Sequence, residues 1–459
     1  MPTQCSATPT RKIRVGGREV VADFDGGEIT SDAGALLLGR TDAVIGLVGR
    51  LAECFKDARD ADLIEHSVRT LVLQRVVGIA LGYEDLNDHD ELRRDPVLAV
   101  LAGKLEARRK DCAPLAGKST LNRLERSVAG QTTRYQKISH DGSAIEGLLV
   151  ELFVDAHAEP PSAITLDLDA TDDPLHGDQE GRFFHGYYDG YCYLPLYIFC
   201  GKHLLVAKLR RANIDGSAGA REELERVVGQ IRARWPQVPI TVRADSGFAR
   251  DELMAWCEAN ALTYALGLAR NARLTAHIAE AQERSRVRCE VTGEAAREFC
   301  DFEYSTRTSW SCARRVVGKA EQLPGKANPR FVVTNMTAEQ VDARALYEDI
   351  YCARGEMENR IKECQADLFA DRTSTATMHS NQLRLWFSSF AYVLVDSLRR
   401  IALSGTALAQ ATCGSIRLKL LKIGARVTRS VRRIKIAMAS SHPYQILWSL
   451  AYERLVHDG

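Results

Sequence analysis

The hydrophobic and polar positions divide the chain into a helical first part and a later part of alternating strands and helices. From residue 31 to 129 apolar residues recur mostly at helical spacing, and the stretch DLIEHSVRTLVLQRVVGIALGY, residues 62–83, predicts an amphipathic helix. The pair Pro160-Pro161 then marks a boundary, since two prolines interrupt both helix and strand. We therefore expect a helical region to precede a unit of a different kind.

After this boundary the pattern predicts an α/β unit with a mixed sheet. In residues 164–170 apolar and polar side chains alternate, so Asp167 and Asp169 share one face of a strand. The residues between Tyr193 and Leu209 predict two further strands joined as a hairpin at Gly201. The elements that follow are predicted as a helix at 220–235, a strand at 239–244, a helix at 248–260 and a strand at 263–268.

The second half begins with a segment that predicts short strands separated by turns. Residues 270–336 contain RCEVTGEA, REFCDFEYST and RRVVGKAEQLPGKANPRFVVTNM, which we interpret as a β-rich insertion. Thr337 and Gln340 have the spacing of a capping box and predict the start of a helix that runs past Glu358. Another apolar helix is predicted over residues 381–400.

Together these patterns predict six parts of the chain. They are an N-terminal arm (1–30), a mostly helical region for DNA binding or assembly (31–159), the first part of the α/β core (160–269), the β-rich insertion (270–336), the rest of the core (337–400) and a basic C-terminal region (401–459).

Composition indicates a soluble protein without a metal-binding cysteine motif. Of the 459 residues 45% are hydrophobic and 26% charged, and no run of eighteen apolar residues or apolar leader occurs, so we expect a cytoplasmic protein with no membrane contact. The twelve cysteines include no C-x-x-C pair and are expected to be reduced. The net charge of +1 means that any nucleic acid must be bound by local basic patches.

One such patch is found near the C-terminus. Residues 417–435 contain eight lysines or arginines and no acid. Lys422, Arg426, Arg429 and Arg433 fall on one face if the segment is helical, although its β-branched residues leave a strand open. We take these four residues as candidates for DNA binding, with a solvated face of a packed element as the alternative.

Three separated carboxylates are the main candidates for chemistry. Asp169 ends the first strand, Asp245 follows the strand at 239–244, and Glu358 lies on a helix. Three carboxylates from distant elements can hold two hard divalent cations, and such a pair cleaves and joins phosphodiesters by in-line displacement. Each aspartate alone is more often a turn or cap residue, and Asp167 is an alternative on the same strand face.

The glutamate helix carries further polar residues at helical spacing. Tyr351, Arg354, Glu358 and Lys362 are three, four and four residues apart and share one face of a regular helix. This face offers a carboxylate for a metal and a guanidinium for a phosphate oxygen. An ordinary ion pair between Arg354 and Glu358 is the alternative, and Glu363 is a rival third ligand.

These features together resemble the bacterial insertion-sequence DDE transposases of the DDE-domain group 1 branch. The resemblance is carried by DAT at Asp169, by DSGF at Asp245 and by Y-x-x-R-x-x-x-E, residues 351–358, and it extends from about Gly26 to the C-terminus. It implies a ribonuclease-H-like core with Asp169, Asp245 and Glu358 as metal ligands. Related transposases carry a lysine seven residues after the glutamate, where this chain has Gln365.

The resemblance implies an activity, cofactors and partners. The expected reaction is cleavage at transposon ends and strand transfer into target DNA, with two Mg²⁺ ions that Mn²⁺ could replace. Tyr351 and Arg354 are implied as supporting residues, and Lys362 is a candidate phosphate contact. The expected partners are double-stranded DNA, with terminal inverted repeats and target, and further copies in a homodimer or higher assembly. The expected location is bacterial cytoplasm, at the nucleoid when DNA is bound.

Other functions remain open on the sequence alone. A ribonuclease-H-like nuclease without strand transfer could use the same carboxylates, and a transposase-derived protein could bind DNA without cutting it. A glycosidase also uses paired carboxylates, but the aromatic content of 7% is low for sugar stacking. Trp310 in the insertion is a candidate for stacking on a displaced base, with packing in a small β core as the alternative.

Overall fold

The computed structural model describes residues 11–130, 132–134 and 136–457. The first ten residues of the predicted arm lie outside the described residues. The rest of the arm contains an antiparallel hairpin of β1 (Arg11–Val15) and β2 (Arg18–Ala22), followed by β3 (Glu28–Thr30).

The region up to residue 155 is mostly helical. Its elements are α1 (Leu36–Ile45), α2 (Leu47–Glu53), β4 (Phe55–Asp57), α3 (Val68–Ala80), α4 (His89–Leu92), α5 (Pro96–Leu101), α6 (Lys118–Glu125), β5 (Val128–Ala129), β6 (Ile138–His140) and α7 (Gly142–Asp155).

The helix predicted over residues 62–83 is shorter and more buried than its pattern indicated. The Ser67 hydroxyl accepts from the Thr70 backbone N–H at 3.2 Å, so the helix begins at Val68, and Leu63 lies in a preceding 3₁₀ turn. Every residue of α3 except Arg69 is buried. The amphipathic interpretation is therefore wrong, because neighbouring helices cover α3 on all sides.

The core that follows has the predicted strand and helix order. Its elements are β7 (Ile164–Ala170), β8 (Asp173–Pro174), β9 (Phe183–His185), β10 (Gly190–Tyr193), β11 (Leu196–Cys200), β12 (His203–Lys208), α8 (Ala220–Arg234), β13 (Ile240–Ala244), α9 (Asp251–Ala259) and β14 (Thr263–Leu268).

The sheet arrangement of this core confirms the expected α/β fold class. The five long strands lie in the order β12-β11-β7-β13-β14, with β11 antiparallel to both β7 and β12, and with β13 parallel to both β7 and β14. Three antiparallel strands continued by two strands parallel to the first form the ribonuclease-H-like arrangement. The carboxyl ends of β7 and β13 consequently lie at one edge of the sheet.

The insertion extends this sheet. It contains α10 (Ala272–His277), α11 (Ala279–Thr292), β15 (Ala296–Tyr304), β16 (Arg314–Leu323), β17 (Lys326–Ala327) and β18 (Arg330–Thr334). Strand β18 pairs with β14, and β16 and β15 follow outward. The strand predicted from RCEVTGEA is wrong, because its first five residues end α11, which packs on β15 and β16.

The last part of the chain carries the glutamate helix and a long buried helix. Its elements are α12 (Ala343–Ala345), α13 (Gly355–Lys362), α14 (Met378–Ala402), α15 (Cys413–Ile416), β19 (Ala425–Ser430), β20 (Arg433–Met438) and α16 (Gln445–His457). The capping-box bonds form between Thr337 and Gln340, but they close a turn, and α12 instead begins after Asp342, whose carboxylate accepts from two backbone N–H groups.

Apolar layers cover both faces of the core sheet. Leu166 and Leu168 of β7 belong to a cluster with residues of α8 and α9 on one face. Tyr197 and Phe199 of β11 belong to another cluster with α14 and α3. Within the described residues no helix is both long and apolar enough to span a bilayer. Burial on both faces holds the strand ends, and the polar residues on them, in fixed positions.

Candidate active site

Asp169 is the next-to-last residue of β7 and lies on the face opposite to Leu166 and Leu168. Its side chain is 19% exposed. Burial raises the pKa of its carboxyl to about 6, with Arg354 opposing the shift and the charges of Asp245 and Glu358 adding to it. The electrostatic coupling indicates that three carboxylates far apart in the sequence share one neighbourhood.

Asp245 reaches the same neighbourhood because β13 runs parallel to β7. Ala244, the last residue of β13, pairs in register with Leu168, so Asp245 and Asp169 follow at the same edge. The Asp245 carboxylate accepts from the Gly247 backbone N–H at 2.9 Å and caps a 3₁₀ turn. This bond fixes the side chain at the strand end.

Glu358 is joined to Asp169 through one guanidinium. Arg354 Nη2 donates to Glu358 Oε1 at 2.9 Å, and Arg354 Nη1 lies 3.7 Å from Asp169 Oδ1. Arg354 is largely buried and its Nη1 has no hydrogen-bond partner, whereas the Glu358 side chain is 47% exposed. Arg354 thus bridges two of the three carboxylates, more than the simple helix pair that the spacing allowed.

Tyr351 lies against the turn that carries Asp245. A Cβ atom on Gly267 of β14 would lie 2.5 Å from the Tyr351 hydroxyl and 2.9 Å from the Ser246 nitrogen, so only glycine permits this close packing. Burial raises the pKa of Tyr351, with Arg354 lowering it and Asp245 raising it.

The helix itself is irregular at these residues. A π turn (Leu346–Tyr351) and a 3₁₀ turn (Cys352–Arg354) precede α13, and a second π turn (Glu363–Asp367) follows it. Single π turns often occur at functional sites because they redirect side chains. Tyr351, Arg354 and Glu358 therefore converge without the regular helix that the spacing assumed.

Lys362 and Gln365 extend the helix beyond the carboxylates. Lys362 is exposed at the end of α13. Gln365 donates through Nε2 to the Asp172 carbonyl at 3.0 Å and so ties the helix to the loop after β7. The side chain at the position where related transposases have lysine thus holds two parts of the site together, a contact that spacing could not reveal.

The two rival carboxylates have internal partners. Asp167 is buried and receives two bonds from Arg243, at 2.6 and 2.7 Å. Glu363 is also buried and accepts from Arg399 and from the Cys413 backbone N–H, both at 2.9 Å. Both contacts favour structural roles for these residues.

The donor chemistry fits magnesium, although the side chains are not gathered at coordinating distance. Among the described residues no group of three or more His, Cys, Asp or Glu is close enough to hold a metal ion. The Arg354 guanidinium instead neutralises Asp169 and Glu358. Partly buried carboxylates that repel one another are nevertheless the oxygen ligands that Mg²⁺ takes.

The basic C-terminal stretch begins with a π turn (Arg417–Leu421) and forms a hairpin from Ala425 onward, so the single helical face predicted for Lys422 to Arg433 is wrong. Strands β19 and β20 pair with each other, and β19 pairs with β3. Lys422 pairs with Asp32 at 2.7 Å, and Arg429 with Glu28 at 3.1 Å. Arg426 and Arg433 are exposed on the outer face, as is Lys435. A helix would have aligned all four predicted residues, whereas the strands separate them.

Trp310 lies at the edge of the apolar layer beside α8 and α9. Its ring meets that of Tyr304 edge-on at 5.7 Å, and the Arg314 guanidinium lies 5.6 Å from its centroid. These contacts leave the indole half-buried within the insertion.

Comparisons with known proteins found a family model and a solved structure that are similar to this chain. The family model described as Transposase DDE domain group 1 matches residues 12–458. A cryo-electron microscopy structure of a piggyBac transposase synaptic complex with hairpin DNA aligns at 12% identity and a TM-score of 0.44, over 93% of this chain and 82% of that one. No curated protein sequence matches the chain.

Proposed function

Because the chain belongs to the transposase DDE domain group 1 family, we propose that it is the transposase of an insertion sequence. In this proposal it cuts DNA at the ends of the element and joins those ends to target DNA. The observation that carries the proposal is the coupling of Asp169 with Asp245 and Glu358 beside the Arg354 bridge.

Asp169, Asp245 and Glu358 are the proposed ligands of two Mg²⁺ ions, for which Mn²⁺ could substitute. Such ions activate the attacking water or 3′-hydroxyl and stabilise the leaving oxygen. Asp169 and Asp245 would be positioned by the sheet edge, and Glu358 by α13. Release of Arg354 from Asp169 and Glu358 would free both carboxylates and leave its guanidinium for a phosphate oxygen.

Tyr351, Lys362 and Gln365 have supporting roles in this proposal. Tyr351 packs against the Asp245 turn and fixes the distance between β13 and the helix. Gln365 holds the loop after β7. Lys362, exposed beyond Glu358, would contact the DNA backbone.

Two basic surfaces would bind the DNA. The outer face of the β19–β20 hairpin presents Arg426, Arg433 and Lys435. In the helical region, a cavity of about 490 Å³ is lined by three arginines, a lysine and no acidic residue among those described: Arg59, Arg123, Arg126 and Lys137, with four uncharged residues. Clustered cations favour phosphate contacts. Arg59 is the exception among the four, because it already pairs with Asp57 at 2.6 Å. Lys422 and Arg429, which have acidic partners, would contribute less.

Assembly and location follow from the proposed reaction. Two transposon ends must be brought together for joining, so a homodimer or higher assembly on DNA is proposed. The proposed location is the bacterial cytoplasm, at the nucleoid when DNA is bound.

The test is a cleavage assay with Mg²⁺ and duplex DNA that carries the termini of the element. Nicks at the termini and joined products are expected, and Asp169→Asn, Asp245→Asn or Glu358→Gln should each abolish both while DNA binding persists. Glu225→Gln, at a carboxylate 61% exposed on α8, is the matched control. Nicks without joined products would indicate a nuclease, and binding without nicks a non-catalytic DNA-binding protein. Full activity of any of the three variants would remove that residue from the ligand set.

A further inference from the structure

A small sheet next to Asp169 presents an unusual number of exposed aromatic rings. Strands β8, β10 and β9, which lie between β7 and β11 along the chain, form this separate sheet in the order β8-β10-β9. Exposure is 37% for Phe183, 55% for Phe184, 85% for Tyr187 and 48% for Tyr191. We call these four residues the aromatic patch. Single exposed apolar residues are common on soluble proteins, but four within nine residues of one hairpin, two of them with their rings in contact, indicate an interaction.

The patch begins beside the candidate active site. Tyr188 donates its hydroxyl to the carbonyl of Ala170, the residue after Asp169, at 3.4 Å. Burial raises the pKa of Tyr188 to about 12, and the charges of Asp172 and Asp169 add to the shift. The Tyr187 ring meets the Tyr188 ring edge-on at 5.0 Å. A short chain of contacts therefore links Asp169 to the most exposed ring.

The sheet holds two of the rings in fixed positions. Phe184 and Tyr191 are cross-strand partners, with ring centroids 5.7 Å apart in an edge-on arrangement. The Arg182 guanidinium lies 4.8 Å from the Tyr191 centroid. The Tyr193 hydroxyl donates to the Glu180 carbonyl at 2.5 Å and anchors the base of the hairpin. A rigid surface of rings loses little entropy when it binds a ligand.

We infer that the aromatic patch stacks on unpaired DNA bases of the strand whose phosphate lies at Asp169, Asp245 and Glu358. This inference rests on the proposed function. A DNA strand at that site would lie beside the hairpin, because Tyr188 contacts the residue next to Asp169. Aromatic rings bind any base through its π face, whatever the sequence of the strand. The patch thus suits single-stranded DNA at a cut or opened end.

The test compares two DNA probes in a binding assay without divalent metal, so that cleavage is not required. One probe is a blunt duplex of the element end, and the other carries three additional unpaired nucleotides. Phe184→Ala with Tyr187→Ala should weaken binding of the tailed probe roughly tenfold or more, while blunt-duplex binding changes by less than about twofold. Phe184→Tyr with Tyr187→Phe keeps the rings and should bind like the parent.

Ile446→Ala is the control for removal of an exposed apolar side chain, since Ile446 is 88% exposed on α16. Equal weakening on both probes, or no weakening, would overturn the inference. Loss of self-association in sedimentation with unchanged DNA binding would overturn it too, and would identify a protein interface. Cleavage by Glu358→Gln would refute the proposed ligand set without altering the tail preference, so the two failures are distinguishable.

Discussion

Loss of charge at Glu363 should reduce stability but not activity, whereas loss of charge at Glu358 should reduce activity but not stability. Glu363 is 4% exposed and pairs with Arg399, which is 2% exposed, whereas the Glu358 side chain is 47% exposed. Replacing one partner of a buried ion pair leaves the other charged and desolvated. Glu363→Gln therefore removes the carboxylate that is hydrogen-bonded to Arg399, while Glu358→Gln alters a contact that water already screens.

The structure sets the size of the two effects. Removal of one buried partner costs about 3–5 kcal/mol of unfolding free energy, and the lower part of that range applies because Asp396 remains 3.8 Å from Arg399. A helical pair in which one partner is well exposed, such as Arg354–Glu358, contributes about 0.3–0.5 kcal/mol. Glu363→Gln should thus destabilise the fold by about 3 kcal/mol, and Glu358→Gln by less than about 1 kcal/mol.

The assay measures unfolding in urea by tryptophan fluorescence and, separately, Mg²⁺-dependent nicking at a temperature where each variant is folded. Glu358→Gln should be stable and inactive, and Glu363→Gln unstable with nicking retained in its folded fraction. Glu225→Gln controls for replacing a carboxylate by an amide on the surface. A Glu363→Gln variant with parental stability and no nicking would refute the reasoning and make Glu363 the third ligand.

Two further predictions concern DNA affinity and acid stability. Arg426→Gln, Arg433→Gln and Lys435→Gln together should reduce the slope of log affinity against log salt by about 0.9 for each DNA phosphate that the hairpin no longer neutralises, and an unchanged slope would exclude the hairpin from DNA binding. Burial, with Arg75 adding to it, lowers the pKa of His89 from 6.5 to about 3. Between these two pH values the unfolded chain binds one proton more than the folded chain. The free energy of unfolding should therefore decrease by about 1.4 kcal/mol for each unit by which the pH is lowered in this range. His89→Gln should remove that share in urea titrations from pH 7 to 5, and an unaltered pH dependence would contradict the assignment.

The local sequence pattern was sufficient to predict an element where its apolar residues recur with the period of a strand or helix. The strands at 164–170 and 263–268 were predicted with the bounds that the structure has, since their alternating or continuously apolar residues match their burial. Because the ends of β7 and β13 could be predicted, Asp169 and Asp245 could also be placed at the ends of these two strands. The resemblance to the transposase family then indicated Glu358 as the third candidate.

Local pattern failed where the contacts of a segment come from elsewhere. The helix α11 buries small residues at a spacing of four, Ala281, Ser285 and Cys289, against the sheet. Such residues carry little hydrophobic signal, so the β-branched residues at its end predicted a strand instead. Residues 425–438 form a hairpin instead of a helix because β19 pairs with β3, which is distant in the sequence.

The order of the long core strands and helices, the α/β class and the two candidate aspartates could be predicted from neighbouring residues, because secondary structure depends largely on local side-chain periodicity. Local pattern could not show which carboxylate of each pair, Asp167 or Asp169 and Glu358 or Glu363, has an internal partner. That difference depends on Arg243 and Arg399, which reach Asp167 and Glu363 from other elements and occupy their oxygens. Such partners come together only in the folded chain, because residue spacing along the sequence does not predict an ion pair between distant elements.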